Sequence, residues 1–375
     1  MSKIHISLVG GQPTPIYQGI IYTQPDFIHL ICSKNSLEQA GVIRKELPIF
    51  SDNQVQITEI SDSKVEDFER QLSEIVSRLN PEDSVSINLS GGLKAWSIIL
   101  YKLASQMFPQ AFCFCLSQNG RVFSFDRPEV EGIVPFDMEA QFKLLGNPLI
   151  NYFPFSEYTE EDDKVYQNVK SAYFKTKKFK GLTEGYLNTY GESFKKSHKY
   201  VSAQGSIEWD AETHTCQIQL ENNKLFIFSS PNAERLVFKA DWFEYEVAKC
   251  IAQIYGKENV FMNCRFRSQK NEDKNEVDII VNTGAKLVFV ECKTNISKIS
   301  DIDKFAAVVK NYGGLGSKAI FITMHEMPET QKEKCRDNGI NSEYLYNKND
   351  TCLQVFRNKE LKNKLDSLVN SWNIK

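Results

Sequence analysis

No two cysteines in this 375-residue chain are spaced as CxxC. Their odd number, nine, at positions 32, 113, 115, 216, 250, 264, 292, 335 and 352, excludes a fully paired disulfide frame. Several fall inside apolar, strand-like runs, and we read them as reduced, buried thiols of a cytoplasmic protein rather than zinc ligands. No apolar run approaches the roughly 18–20 residues of a membrane span. The segment MSKIHISLVGG lacks a long apolar stretch ahead of a small-residue cleavage site, so secretion is not expected. The five histidines, at 5, 29, 198, 214 and 325, form neither HxH nor HExxH, which excludes a zincin-type centre and leaves them as structural or surface residues. GxGxxG is missing, so a dinucleotide fingerprint is excluded. GxxxxGK[ST] is missing too: Gly313–Lys318 is glycine-rich but wrongly spaced for a P-loop. There is no internal repeat and no low-complexity segment.

What is present is ordinary for globular protein: 41% apolar and 25% charged residues. The length suggests two or three domains. The net charge of -3 is unevenly spread. Residues 1–150 carry 12 basic and 17 acidic side chains (-5), residues 151–230 carry 10 and 11 (-1), and residues 231–375 carry 23 and 20 (+3). A polyanion is therefore expected at the C-terminal part, with only a weak bias.

The first 125 residues alternate strand and helix patterns. Apolar runs at Ile4–Val9, Phe27–Cys32, Gln54–Ile60, Ser84–Leu89, Ala111–Leu116 and Val122–Phe125 are separated by helical periodicity at Thr14–Thr23, Leu37–Leu47, Val65–Leu79 and Leu93–Met107. This order predicts an α/β, Rossmann-like domain with a parallel sheet, whose ligands bind on loops at the carboxyl ends of strands. A Pro- and aromatic-rich stretch, an acidic cluster at Glu160–Asp163, a basic one at Lys175–Lys180 and a strand meander over 200–228 follow. From Asn232 the pattern reads helix, strand, strand, helix, strand, with one long amphipathic helix over Ala233–Ile254. The expected division is 1–145, a connector segment 146–230, and 231–375.

The strongest constellation is Glu276-Val-Asp278 on one strand and Val290-Glu291-Cys-Lys293 on the next. Glu291 and Lys293 are two apart on a strand and share a face. A hairpin brings Asp278 beside them. Two carboxylates and a lysine converging at strand ends suit a hard divalent cation, an attacking water and charge developing on a phosphate. Glu244 or Glu246, on the preceding helix, supplies a further carboxylate. Arg265, Arg267 and Lys270 precede the Asp278 strand and are placed to guide a phosphate backbone. Lys175–Lys180, interleaved with Phe174 and Phe179, reads either as a nucleic-acid contact or as a solvated helix face.

Two glycine-bearing loops form a second constellation. Gly10, Gly11, Gln12, Pro13 and Thr14 follow the first strand; Ser90, Gly91, Gly92, Leu93 and Lys94 follow the fourth. Both lead into helices, where backbone N–H groups suit a phosphate or a nucleotide edge. A tight strand–helix turn explains the same residues. The SGG of the second loop also opens the pyrophosphatase loop SGGxDS, but Lys94-Ala95 stand where that loop has Asp-Ser.

The C-terminal order of helix with Glu244, strand with Asp278 and strand with Glu291-Cys-Lys293 resembles the PD-(D/E)xK nuclease superfamily, with Val277 in place of the Pro. Taken with Asn88-Leu-Ser-Gly-Gly-Leu-Lys94, Asp241-Trp-Phe-Glu244 and Lys304–Gly314, nearly the whole chain resembles the CRISPR-associated Rossmann-fold (CARF) nucleases of type III systems, in the DUF1887 group. The resemblance implies a homodimer whose two CARF domains bind cyclic oligoadenylate, foremost cyclic tetra-adenylate, and thereby switch on cleavage of single-stranded DNA and RNA, with possible nicking of duplex DNA. It implies Glu244, Asp278, Glu291 and Lys293 as the catalytic set, Asp278 and Glu291 as ligands of Mn or Mg, and Gly10–Thr14 and Ser90–Lys94 as effector contacts. It places no site on the connector. Two other readings remain open from the residues: a constitutive DNA-repair or restriction endonuclease, and a nucleotide-sensing regulator that binds DNA without cutting.

Overall fold

A computed structural model describes residues 2–370 apart from 48–49, 62–64, 81, 118–119, 126–131, 133, 135–136, 192–193, 239–240, 268–272, 285, 297, 315–316 and 347–357. The chain is a mixed α/β protein built on three sheets. The first collects β1 (Lys3–Val9), β2 (Phe27–Cys32), β3 (Val55–Glu59), β4 (Ser84–Asn88), β5 (Phe112–Leu116) and β6 (Val122–Ser124) in the order β3-β2-β1-β4-β5-β6. All its pairs are parallel except β5 with β6. The interleaved helices are α1 (Thr14–Thr23), α2 (Leu37–Glu46), α3 (Val65–Ser77) and α4 (Lys94–Met107). The strand order reverses between β1 and β4, and the two neighbours are buried on both faces, as a doubly covered parallel sheet requires. Phe68 on α3 stacks on Trp96 of α4 at 4.5 Å.

Next come α5 (Met138–Leu144) and β7 (Leu149–Pro154), then α6 (Glu160–Lys175) and α7 (Lys177–Tyr190). The acidic cluster seen in the sequence is the first turn of α6. Thr159 caps it, accepting from the Asp162 N–H at 3.2 Å while Asp162 accepts from the Thr159 N–H at 2.8 Å, and four acidic residues complement the helix dipole. The meander is a four-stranded antiparallel sheet, β8 (His198–Ser202), β9 (Gly205–Asp210), β10 (Thr215–Leu220) and β11 (Leu225–Ser229). Its alternate residues Ile207, Trp209, Cys216, Ile218 and Phe228 are buried.

The span expected as one long helix is helical over α8 (Ala233–Phe238) and α9 (Asp241–Tyr255). The third sheet has the order β16-β15-β14-β13-β12-β7, with β12 (Val260–Arg267), β13 (Asp273–Asn282), β14 (Leu287–Lys293), β15 (Lys318–His325) and β16 (Asn341–Tyr346). Helices α10 (Ser300–Tyr312), α11 (Glu329–Asp337) and α12 (Asn358–Asn370) complete the chain. Strand β7 lies within the expected connector, yet it pairs antiparallel with β12 and so belongs to the third sheet. One apolar core runs without a break from Val169, Leu182 and Phe228 to Trp242, Val260 and Val288, so residues 155–238 pack as part of the C-terminal body.

Helix α5 joins this body to the first sheet. It has seven residues, fewer than an isolated helix needs in water. Met138 and Phe142 face the C-terminal core, while Ala140 and Leu144 face the N-terminal one. Each pair is four residues apart and shares one face of the helix. Phe142 is fully buried and meets Phe266 at 5.0 Å and Phe289 at 6.3 Å, both edge-on. Phe142→Ala is expected to destabilise the protein by about 3–5 kcal/mol, the usual range for emptying such a site. Urea unfolding measures this, and a loss below ~1 kcal/mol would mean that α5 is not part of the core.

Candidate active site

The alternating burial of β14 separates its two sides. Val288, Val290 and Cys292 turn into the core shared with α9, while Glu291 and Lys293 turn the other way. Strand β13 pairs with β14 through Ile279 with Val290 and Ile280 with Phe289, which sets Asp278 beside the Glu291–Lys293 end. Asp278 Oδ2 accepts from the Cys292 N–H at 2.7 Å and from Lys293 Nζ at 3.4 Å, and Glu291 Oε1 accepts from Lys293 Nζ at 2.6 Å. Both carboxylates are mostly buried, with side chains 14% and 15% exposed. Three of the four expected catalytic residues thus converge within hydrogen-bonding distance.

The charges are unbalanced. Burial, then the neighbouring Asp278, pushes the Glu291 carboxyl up to about 7, against the pull of Lys293. Burial likewise raises Asp278. Burial works against the Lys293 charge, but Asp278 and Glu291 outweigh it and hold the ammonium above its ordinary value. Two buried carboxylates therefore share one cation. Among the described residues, no three His, Cys, Asp or Glu side chains converge as metal ligands. Two carboxylates are what a magnesium-type cation commonly takes from protein, with water and phosphate oxygens completing its shell.

The structure separates the two glutamates of α9. Glu246 is buried, bonded to Lys170 of α6 at 2.6 Å and to the Tyr346 hydroxyl of β16 at 2.5 Å. It is a structural tie. Glu244 instead lines a cleft of about 420 Å³ together with Asp278, and its charge helps to raise Lys293. Glu244 Oε2 accepts from Asn263 Nδ2 at 3.4 Å, and Asn263 Oδ1 accepts from Arg235 at 3.2 Å. Asn263 adopts φ +50°, and the pairing of β12 with β7 shifts register between Met262 and Arg265 there. This bulge aims the amide at Glu244. Asn263 carries no motif in the sequence; its one signal is a lone amide inside the otherwise apolar stretch VFMNC.

Of the expected backbone guides, Arg265 pairs with Glu276 across β12 and β13 at 3.3 Å. Lys270 and the side chain of Arg267 lie outside the described residues. The basic cluster Lys175–Lys180 is not an aromatic-interleaved track. Phe179 is buried, Phe174 packs edge-on against Trp242 and Tyr346, and Lys178 and Lys180 pair with Glu221 and Glu184. Eight described cysteines are free thiols, seven of them buried; Cys352 is outside the described residues.

The two glycine loops meet at the carboxyl ends of β1 and β4, the point where strand order reverses. A Cβ at Gly10 would lie 2.9 Å from Gly92 N, so the loops touch. Gly11 has open space, and Gln12, Leu93 and Lys94 are exposed, whereas Pro13 is buried. Gly91 answers a packing need: its Cβ would lie 2.2 Å from Leu8 O. The Ser90 hydroxyl is engaged with Asn88 and the Leu116 N–H, and the Thr14 hydroxyl donates to Gln141 of α5.

No protein-family profile matches the sequence, and no curated protein matches it. Two solved structures are similar along nearly the full length. Protein VC1899 from Vibrio cholerae shares 18% identity, with 99% of this chain and 98% of that one covered and a TM-score of 0.71. Can2 from Sulfobacillus thermosulfidooxidans, solved in complex with cyclic tetra-adenylate, shares 16% identity, with 98% and 99% covered and a TM-score of 0.64. The likeness is one of fold. Among the described residues, no helix is long and apolar enough to cross a membrane.

The raised Glu291 carboxyl has a stability signature. In the unfolded chain it titrates near 4.5, in the fold at about 7. The folded state therefore binds the extra proton between these values, and its contribution is full below pH 4.5 and lost as pH rises through 7. Glu291→Gln removes this dependence. Relative to the parent, the variant is expected to gain on the order of 2 kcal/mol between pH 4.5 and pH 8. Urea unfolding across that range measures it, and parallel curves for the two proteins would contradict the burial argument.

Proposed function

We propose that this chain is a cyclic oligoadenylate-activated, metal-dependent nuclease of type III CRISPR immunity, acting on single-stranded DNA and RNA. The observation that carries the reading is the convergence of Asp278, Glu291 and Lys293 at one strand end, with Glu244 nearby across a cleft. In this reading residues 1–145 are the CARF sensor, 146–230 the connector and 231–375 the PD-(D/E)xK nuclease. The likeness to Can2, which was solved with cyclic tetra-adenylate, supports the choice of effector.

Asp278 and Glu291 hold a divalent cation, Mn or Mg, which supplies Lewis-acid polarisation of the phosphodiester when bound. Lys293 remains an ammonium because two carboxylates face it, so it offers charge to a phosphate oxygen instead of accepting a proton. The Cys292 N–H fixes Asp278, and Asn263 orients Glu244. Each group is placed by the fold before substrate arrives, which spares reorganisation during the reaction.

The sensor binds cyclic tetra-adenylate over the joined glycine loops, through Gly11, Gln12, Leu93 and Lys94, as a homodimer. A ring with rotational symmetry matches a two-fold site. An apolar face beside the second loop supports the dimer: Leu93, Ile98, Phe123 and Phe125 are each 47–69% exposed, and Phe125 lies 5.8 Å from Tyr101 of α4. The effector acts by favouring one dimer arrangement. Its signal reaches the nuclease through Thr14 and Gln141, since Gln141 shares α5 with Phe142, and Phe142 packs on Phe289, two residues before Glu291.

The test is cleavage of labelled single strands with Mn or Mg, with and without cyclic tetra-adenylate. Cutting should require the effector; equal rates without it would make this a constitutive nuclease. Glu291→Ala and Lys293→Ala should each lower the rate by about 10²–10³-fold, the loss typical of one electrostatic contact to the transition state, with effector affinity unchanged. Lys94→Ala should raise the effector concentration needed without altering the maximal rate. Gln141→Leu should leave effector affinity intact and reduce the activated rate. Cleavage at the parent rate by either Glu291→Ala or Lys293→Ala would remove the site assignment.

A further inference from the structure

We propose that the cleft beside Glu244 and Asp278 is a nucleobase subsite, walled by α7 of the connector and by Trp242, that receives one unpaired base of the strand being cut. The inference rests on the nuclease reading above and gives the connector a part in substrate binding.

Position is the first argument. Asp278 belongs both to the Glu291–Lys293 cluster and to the cleft lining, whereas Glu291 and Lys293 do not line the cleft. The cleft therefore adjoins the proposed phosphate site through one shared carboxylate. Its far wall is Phe179, Thr183 and Leu187 of α7, with Tyr173 of α6 and Trp242 of α9 beside them. At about 420 Å³ it falls in the range of sites that enclose a small molecule.

Charge and hydrogen bonding identify the occupant. The basic side chains of the lining already face acids: Lys180 with Glu184 at 3.6 Å and Arg265 with Glu276 at 3.3 Å. Glu244 and Asp278 add two further carboxylates. Such a lining rejects a bare phosphate and favours a neutral, flat, polar-edged group. Tyr173, the half-buried ring of this wall, offers a face for a base, with buried Phe179 and Trp242 backing the cleft. Trp242 supplies the directional element. It is 1% exposed, and its Nε1 donor has no hydrogen-bond partner among the described residues. An orphaned buried donor costs stability unless something accepts from it. A base carbonyl entering the cleft is such an acceptor. A paired base has its edge already engaged and lies in a stack, so only an unpaired or flipped base can enter.

The experiment compares two eight-nucleotide single strands, oligothymidylate and the same strand abasic throughout, by equilibrium binding in metal-free buffer with cyclic tetra-adenylate present. The parent protein should bind the base-bearing strand about tenfold more tightly, a modest figure for one stacked base. Trp242→Phe keeps the aromatic wall and removes the donor; it should reduce that ratio by at least threefold with abasic affinity unchanged. Leu187→Trp fills the cleft from α7, and should bring the ratio near one. Equal affinity for the two strands in the parent, or a ratio that neither variant changes, overturns the subsite. Cleavage is read separately: a parent protein that cuts neither DNA nor RNA with effector and metal sinks the nuclease reading, while the binding ratio still decides the subsite.

Discussion

Helix α5 is anchored in two cores at once, and the relation between the two ends of the molecule depends on it. Met138 and Phe142 cannot leave the C-terminal core, nor Ala140 and Leu144 the N-terminal one, without exposing apolar surface. Close-packed cores switch between discrete packings and deform little in between. A shift at the glycine loops therefore has two outcomes: it is absorbed locally, or it repacks α5. Gln141 makes absorption harder. It is buried, it accepts from Thr14 on one side, and on the other its amide lies 3.1 Å from where a Cβ of Gly314 would stand, just beyond α10.

A second constraint is electrostatic. Helix α9 carries Glu244 and Glu246 two residues apart, which on a 3.6-residue turn places them on roughly opposite faces. Glu246 is locked by Lys170 and Tyr346, all three buried. Removing one partner of such a group would strand a charge in the core, so the tie holds the rotation of α9 about its axis. Fixed on that side, the helix presents Glu244 to the cleft on the other. The connector helix α6 supplies Lys170, so the segment between the N-terminal and C-terminal parts determines where a candidate catalytic carboxylate points.

How much of this was legible depends on the range of the interactions. The parallel sheet of residues 3–116 shows in local periodicity, because buried strands and amphipathic helices each carry their own pattern. The Asp278–Glu291–Lys293 cluster shows because a hairpin makes it nearly local. Helix α5 left no such trace: its two faces satisfy two different cores, so Met138-Glu-Ala-Gln-Phe-Lys-Leu144 has no single apolar stripe. Strand β7 looked like connector because its partner β12 lies more than a hundred residues away. The basic run Lys175–Lys180 looked like a surface track because sequence cannot tell that Phe174 and Phe179 face inward. Helix α6 is the instructive miss. Thr159 with Asp162 three residues on is a capping box, and four acids in a row at that place are a first turn, so its helix start is a local signal that charge alone does not convey.

The packing also changes what the connector is. Its strands share one apolar core with α9, β12 and β14, while the N-terminal part keeps cores of its own. The molecule thus has two packed bodies, with α5 as the element belonging to both. Helix α7 is part of the body that holds Asp278, so any movement transmitted by α5 carries the wall of the cleft and the carboxylates together. In the proposed reading, activation therefore does not come from α7 lifting off the site as a separate lid. In that reading the packed route between the two bodies is Phe142 against Phe289 on β14, the strand that ends in Glu291 and Lys293. A displacement there alters the spacing between the β14 carboxylate and Asp278 on β13, and with it the cost of holding two negative charges beside one ammonium.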